Sequence, residues 1–353
     1  MTAIDGANNM ETLTGHLTLK QLAREAGVSV ATLDRVLHNR AGVREETARR
    51  VRAAIERHDG LTNGEDALGK ARAVKFVFVM PRNENTFMRM IVDQISEMSG
   101  WLAARRVTVE TVTADILDPR ALAQTLESLG GRCDGVAVVA LDHQSVRAAI
   151  DDLVAGGVPV VTLVSDVPGS ARKHYVGIDN VAAGRTAATL LGRLAGERTG
   201  KVAVIAGSHS LRDHAERMFG FSQVMSLEYR RLSVLAPVEG LDHNEVNKDL
   251  ITRLLAENDD LVGVYNVGAG VEGVAKGIAD SGRGGELVFI AHDLTAFTRR
   301  ALLRGELDAV ISQDAGHEAR SALRVLLALT RGERWMAEQE KIRIDIVMRD
   351  NLP

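Results

Sequence analysis

One cysteine, Cys133, occurs in 353 residues. A single thiol excludes an internal disulfide framework and any cysteine-based zinc finger. Aromatic residues are scarce, with seven Phe, three Tyr and two Trp, so the core must be built mainly from Val, Leu, Ile and Ala. No apolar run reaches the ~18 residues of a membrane span, and the N-terminus lacks the basic-then-apolar order of a secretory signal. A cytoplasmic protein with no membrane partner is the expectation. What the chain does contain is glycine, 33 of them, and an ordinary share of hydrophobic residues, 45%. Its length predicts two domains, or one domain of two lobes, at roughly 150 residues each.

The net charge is −4, which as an average argues against a nucleic-acid binder. The charge is unevenly spread. Residues 17–58 hold nine Lys/Arg against five Asp/Glu, whereas residues 59–353 hold 34 against 40. A small basic head precedes a large acidic body.

Residues 1–16 are polar and aperiodic and read as a disordered tail. Residues 17–58 read as three helices. Thr18 is placed to cap the first, which carries Leu19, Leu22, Ala23 and Ala26 at helical spacing. Gly27 breaks it, and Ser29 caps a second helix with Leu33, Val36 and Leu37 on one face. A loop at 39–42 precedes a third helix bearing Val51, Ala54 and Ile55. Residues 59–73 form a linker of mixed charge. From Val74 onward, short Val/Ile-rich runs alternate with amphipathic stretches. The runs are 74–80, 107–113, 135–140, 158–164, 175–178, 202–206, 232–237, 262–266, 287–292 and 309–312. Helical stretches fall at 87–105, 119–130, 144–156, 181–196, 212–227, 245–257 and 316–331. Repeated β-α-β units predict parallel sheets with helices on both faces. About ten strands suggest two doubly wound lobes, whose ligands bind outside the carboxyl ends of strands.

The helix–Gly27–helix pattern fits a helix-turn-helix, whose second helix enters the major groove, and the local positive charge suits phosphate. A plain three-helix cap has the same spacing. The residues Thr18, Ala23, Ala26-Gly27-Val28-Ser29, Thr32, Arg35-Val36-Leu37, Val43, Thr47 and Val51 narrow the choice. With them, this segment resembles the DNA-binding head of the LacI/GalR family of bacterial transcription regulators. The resemblance implies that Thr18, Ser29 and Thr32 touch phosphates, that Arg35 reads a base, and that Asn39 belongs to the same interface. Val30 and Ala31 can offer only apolar contacts, such as to a thymine methyl. Asp34 and His38 depart from the family's Ser and Asn. The family's Tyr-x-Pro-Asn before its hinge helix is replaced by Gly60-Leu61-Thr62-Asn63. Leu68 can still supply the minor-groove wedge, with Lys70 and Arg72 on phosphates; an unstructured linker is the alternative.

The body, from about Val74 to the end, resembles the periplasmic sugar-binding-protein fold that the family uses as its effector domain, nearest in type to the ribose-binding branch. The implied architecture is a helical head before two doubly wound parallel sheets. Lobe 1 comprises about 74–177 and 315–338, and lobe 2 comprises 178–314 and 339–353. The aligned positions imply an effector site of Asn85, Phe87, Ser165, Asp166, Arg217, Asn266, Asp293 and Gln313. Each lies just past a strand end. Fixed donors and acceptors of this mixture suit a polyol, whose hydroxyls do both. Any one of them can equally be a turn former. Val139 or Ala140 stands where the ribose branch has Asn, which counts against ribose itself. A homodimer presenting two heads to a near-palindromic operator is implied, with no cofactor and no metal.

Two other readings compete. Gly268-Ala269-Gly270-Val271-Glu272-Gly273 is a G-x-G-x-x-G after a strand, with Asp293 twenty residues beyond Gly273, which is the dinucleotide fingerprint in form. It makes an NAD-dependent dehydrogenase the rival, weakened by its late position and by the fused head. An architectural DNA-binding protein with no effector is the other. Gly207-Ser208-His209-Ser210-Leu211 lacks the second Gly of a nucleophile elbow. His209 and His214 do not share a helical face, so they read as a solvated loop rather than a metal site. The expectation is a regulator and not an enzyme, most simply a repressor of carbohydrate or polyol genes.

Overall fold

A computed structural model describes residues 23–24, 26–37, 43, 46–47, 50–51, 72–82 and 85–353. The expectations for the tail, most of the linker, Thr18, His38, Asn39 and Leu68 fall outside the described residues. So do the side chains of Ala31 and Asp34. The chain divides into two units, residues 1–73 with 104–106 and the remainder.

In the first unit, helix α1 (Val30–Leu37) follows a turn at Gly27, whose φ of 64° is the left-handed conformation that glycine adopts without strain. The Ser29 hydroxyl accepts the Thr32 N–H at 3.1 Å, an N-cap bond. Ala23, Ala26, Leu33 and Val51 are buried together, with Val28 and Val36 packed on them. Val30 and Arg35 are exposed, Ser29 is exposed and Thr32 half-buried. This is the packing that the apolar spacing predicted for the described part of the head.

The second unit contains two sheets. The first is formed by β1 (Val74–Pro81), β2 (Val107–Ala114), β3 (Gly135–Val138), β4 (Val160–Leu163) and β5 (His174–Val176), all parallel in the order 2-1-3-4-5. Its helices are α2 (Thr86–Glu97), α3 (Ser99–Ala104), α4 (Pro119–Glu127) and α5 (Gln144–Ala155). The second sheet begins after α6 (Asn180–Leu194) with β6 (Gly200–Ala206). It continues through α7 (Arg212–Glu228), β7 (Leu232–Val234), β8 (Val238–Glu239), α8 (Asn244–Glu257), β9 (Leu261–Asn266), α9 (Val271–Asp280), β10 (Val288–His292), α10 (Ala296–Arg304) and β11 (Ala309–Ser312). Helix α11 (Ala315–Arg331) returns to pack on α2 and on the first sheet. Finally β12 (Asp345–Val347) pairs antiparallel with β11 at the second sheet's edge. From one edge the second sheet runs β7-β6-β9-β10-β11, with β8 also on β6. That is the same 2-1-3-4-5 progression met a second time.

The central strands are covered on both faces, so a strand such as Val74–Pro81 reads as a near-continuous buried run. Side chains start the helices where the sequence turns: Asn85, Asp118, Asp179, Thr295 and Asp314 each accept a first-turn N–H. The single helix expected over 87–105 is two, broken at Met98 before the weak helix formers Ser99 and Gly100. β8, β12, α9 and α10 were not expected. Among the described residues no helix is long and apolar enough to cross a membrane.

In this strand order the chain reverses between β1 and β3, and again between β6 and β9. Ligands of open α/β sheets bind at such switch points, beyond the strand carboxyl ends. The two switch points of this unit face a common cleft. Asn85 and Phe87 from the first sheet and Asp213, Arg217, Asp242 and Gly268 from the second line one pocket.

Candidate functional site: a polar cleft between two sheets

The inner end of the cleft is built from side chains buried without being fully bonded. Arg217, 2% exposed, lies on α7. Its Nε donates to Asn180 Oδ1 at 2.8 Å and its Nη1 to the Val267 carbonyl at 2.9 Å. Its Nη2 has no partner, and neither do Ser165 Oγ, Asp213 Oδ1 or Gln313 Oε1, all four lining the same pocket. A buried polar group left unbonded costs about 1–3 kcal/mol. Four such groups converging on one space describe a site built for something that bonds them. The mixture of donor and acceptors matches a polyol's hydroxyls.

Backbone geometry aims two of the site's side chains. Val164 and Asp293 have φ of 64° and 65°, left-handed values that are strained for non-glycine residues, above all for a β-branched valine. At Val164 the turn leaves Ser165 facing the pocket and sends Asp166 the other way. Asp293, at the end of β10, accepts the Gln313 Nε2–H at 3.1 Å. Burial pushes its carboxyl up to about 6, against the opposing pull of Arg217 and the Gln313 bond. Burial would by itself lower the Arg217 pKa, but Asp213 and Asp293 around it hold it above the ordinary value. Behind the site, Tyr265 bonds His292 Nε2 at 2.8 Å, and burial keeps the His292 ring neutral by pulling its pKa well down.

Two bonds cross the cleft directly. Asn85 caps α2 through its Oδ1 and donates from Nδ2 to Asp242 Oδ2 at 3.2 Å. Arg212, on α7, pairs with Asp142 of the loop after β3 at 3.1 Å and with Glu216 at 2.7 Å.

The structure brings Asn85, Phe87, Ser165, Arg217, Asp293 and Gln313 onto one pocket. It does not bring Asp166 or Asn266 there. Asp166 pairs with Arg172 and accepts the Thr162 hydroxyl at 2.6 Å, bracing its own loop. Asn266 is fully buried and donates to the Gly268 and Ala269 carbonyls at 2.7 and 3.1 Å, shaping the β9–α9 turn. The residues that sequence reasoning missed are Asp213, His214 and Asp242. Asp213 stands four before Arg217 on α7, a spacing that puts both on one helical face. Asp242 follows β8, a strand too short to see. The reading of His214 as solvated is corrected: it is 4% exposed, and its Nδ1 accepts the Ser208 N–H at 3.1 Å. Cys133 is buried, donating to the Leu129 carbonyl.

The G-x-G-x-x-G segment does join a strand to a helix. Its glycines are also demanded by packing. Gly270 sits at φ 76°, and a Cβ on Gly273 would stand 1.8 Å from the Asn244 carbonyl oxygen. Asp293 lies in the polar cleft, hydrogen-bonded to Gln313. Among the described residues no group of three or more His, Cys, Asp or Glu could hold a metal ion.

Comparison with known proteins gives the same architecture. The chain is similar to GanP, a glucose-galactose binding protein from Geobacillus stearothermophilus, at 21% identity and a TM-score of 0.72, covering 80% of this chain and 100% of that one. It is similar to a solute binding protein from Burkholderia graminis in complex with D-arabinose, at 22% identity and a TM-score of 0.72, covering 80% and 97%. AraP, an arabinose binding protein from Geobacillus stearothermophilus, is 25% identical with a TM-score of 0.63, covering 79% and 98%. No curated protein matches the chain. The family model described as the periplasmic binding protein domain matches residues 76–334, and that of the bacterial regulatory proteins, lacI family, matches residues 18–63. The chain belongs to the periplasmic binding protein domain family over most of its length, and it carries at its N-terminus the DNA-binding domain of the lacI-family regulators.

Proposed function

We propose that the protein is a one-component transcription regulator that represses genes of carbohydrate or polyol use, and that a small sugar-like effector in the cleft controls it. The carrying observation is the convergence of unbonded, buried Arg217, Asp213, Ser165 and Gln313 atoms on one pocket in a chain with a lacI-family head. The sugars named with the structural neighbours support the ligand class. In this reading Asn85, Phe87, Ser165, Arg217, Asp293 and Gln313 meet the effector. Thr18, Ser29 and Thr32 meet phosphates, while Arg35 reads a base edge beside Val30, Ala31 and Asn39, and Leu68 enters the minor groove. Two subunits carry two heads to a near-palindromic operator. The lobes, with boundaries near 177, 314 and 338, change their relative angle on effector binding, a coupling typically worth about 1–3 kcal/mol.

A thermal-shift screen of sugars and polyols, followed by an operator-binding assay with and without the stabilising compound, tests this. A specific stabilisation together with a change in DNA affinity supports it. Stabilisation by no sugar in a broad panel sinks it in favour of the architectural reading. Saturable NADH binding by fluorescence would favour the dehydrogenase.

A further inference from the structure

The cleft has two chambers. The inner one, at Arg217, leaves about 30 Å³ free, the share of one water in the liquid. The outer one holds about 520 Å³, within the ~300–1,000 Å³ range of small-molecule sites. Asn85, Phe87, Asp242 and Asp293 line both, so the space is continuous.

The outer wall has a chemistry of its own. Helices α8 and α9 begin on it; neither N-cap residue bonds its own first turn, although Asn244 Oδ1 accepts the Gly273 N–H of α9 at 3.1 Å. Phe297 and Val246 contribute apolar surface, and His292, 1% exposed, lines it with its Nδ1 unbonded. Such helix starts would ordinarily invite an anion. Here Glu245 and Glu272 already occupy their first turns, and Asp242 accepts the Ala269 N–H at 2.9 Å beside α9. Among the described residues no Lys or Arg lines this chamber, although Lys276, outside it, pairs with Glu272 at 2.9 Å. The wall therefore presents N–H donors, carboxylate acceptors and apolar patches, with an electrostatic bias against phosphate or carboxylate ligands.

We infer that the outer chamber carries a second subsite and that the effector is an uncharged disaccharide or glycoside held mainly there, one unit over the mouth of the inner chamber and reaching the groups around Arg217 through a hydroxyl, the other lying between Phe297, Val246 and the starts of α8 and α9. This rests on the sugar-effector reading proposed above and names the ligand class within it. Sugar phosphates and sugar acids are excluded as effectors.

Isothermal titration calorimetry on the full chain tests it, with maltose, cellobiose, lactose and melibiose, their units glucose and galactose, and glucose 6-phosphate. At least one disaccharide is expected to bind tenfold or more tighter than either of its units. Val246→Trp, which fills the chamber from an exposed position, is expected to remove that tenfold gain and leave monosaccharide affinity within twofold. Phe297→Ala, which removes surface rather than adding it, should cost the disaccharide alone. Monosaccharides binding as tightly as every disaccharide, or glucose 6-phosphate binding tighter than glucose, overturns the second subsite and leaves the sugar reading standing. Binding of no sugar in the panel overturns both.

Discussion

Arg217 and Asn180 are joined by a 2.8 Å hydrogen bond from the guanidinium Nε to the amide Oδ1. Asn180 opens α6, directly after the chain leaves the first sheet, and its Nδ2 donates to the Tyr175 hydroxyl at 3.1 Å. Tyr175 in turn donates within reach of the Val164 and Ile178 carbonyls. Arg217, the one Lys or Arg among the described residues that line the inner pocket, is thus tied through two side chains to the strand that ends the first sheet. A ligand bonding Arg217 Nη2 pulls on a network that begins at the crossover between sheets.

Replacing Arg217 by Ala should abolish the response to effector while operator binding by the head persists, measured by electrophoretic shift with and without sugar. Removing a buried charge partner is strongly destabilising, about 3–5 kcal/mol, so Arg217→Lys serves as a gentler companion. Lysine lacks the planar fork, and its sugar affinity should fall at least about tenfold, or ~1.4 kcal/mol. Loss of operator binding in the Lys variant contradicts the division of labour.

Gly184 lies on α6 against the backbone of Arg217, where an added Cβ would stand 1.9 Å from the Arg217 carbonyl oxygen. Gly184→Ala must push the two helices apart. Overpacking of this kind costs about 1–3 kcal/mol. Denaturant unfolding should show that loss, and sugar binding should weaken through displacement of the guanidinium although no ligand contact has been removed.

Stability should fall as pH rises from about 4 to about 6. The unfolded Asp293 carboxyl ionises near 3.9, whereas in the fold burial delays it to about 6. A raised carboxyl contributes its full stability below the unfolded value and loses it on the way up to the folded one. At about 1.4 kcal/mol per pKa unit, the loss is at most about 3 kcal/mol. Asp293→Asn should flatten that window in pH-dependent melts. Glu318 acts in the same direction over a wider range. It is fully buried with both carboxyl oxygens unbonded, and burial lifts its pKa well above the ordinary value. Glu318→Gln should stabilise the protein at neutral pH and change nothing at pH 4.

In the head, Ser29→Ala removes the N-cap bond to Thr32, which should cost about 0.5–2 kcal/mol of helix stability and weaken binding to every operator alike. Arg35→Ala should cost about 1–3 kcal/mol at one base pair and relax the preference there. Binding titrations against single-substituted operators separate the two patterns. A carboxylate such as that of Asp34 can accept from a cytosine N4; on that reading Asp34→Ser should shift operator preference at one base pair, and an unchanged preference rejects the contact.

Each of the ten apolar runs overlaps a strand, most plainly where burial on both faces demands a nearly all-apolar strand, as in Val136–Val138 and, but for Thr162, Val160–Leu163. β8 has only two residues, and β12 exposes Asp345 and Ile346, so neither leaves such a trace. Helix α9 carries Gly273 and Gly277, which lower its helical signal while serving the contact with α8. At the site, Arg217 was legible from its surroundings in the sequence. Asp166 was not separable from Ser165, because the left-handed turn at Val164 that parts them has no sequence signature in a valine. Asp213 and His214 needed knowledge of burial that spacing alone does not carry.

The bond between Asn85 and Asp242 satisfies part of the cleft from within the chain itself. Each side chain is the other's resident occupant, held at a local concentration no solute can reach. A ligand that needs the Asn85 N–H held in this bond must first break it, and for such a ligand the apparent dissociation constant is the intrinsic one divided by the fraction of molecules in which the bond is open. A chain that grips itself in this way sets the threshold at which it listens. Weakening the Asn85–Asp242 bond would lower that threshold without touching the ligand.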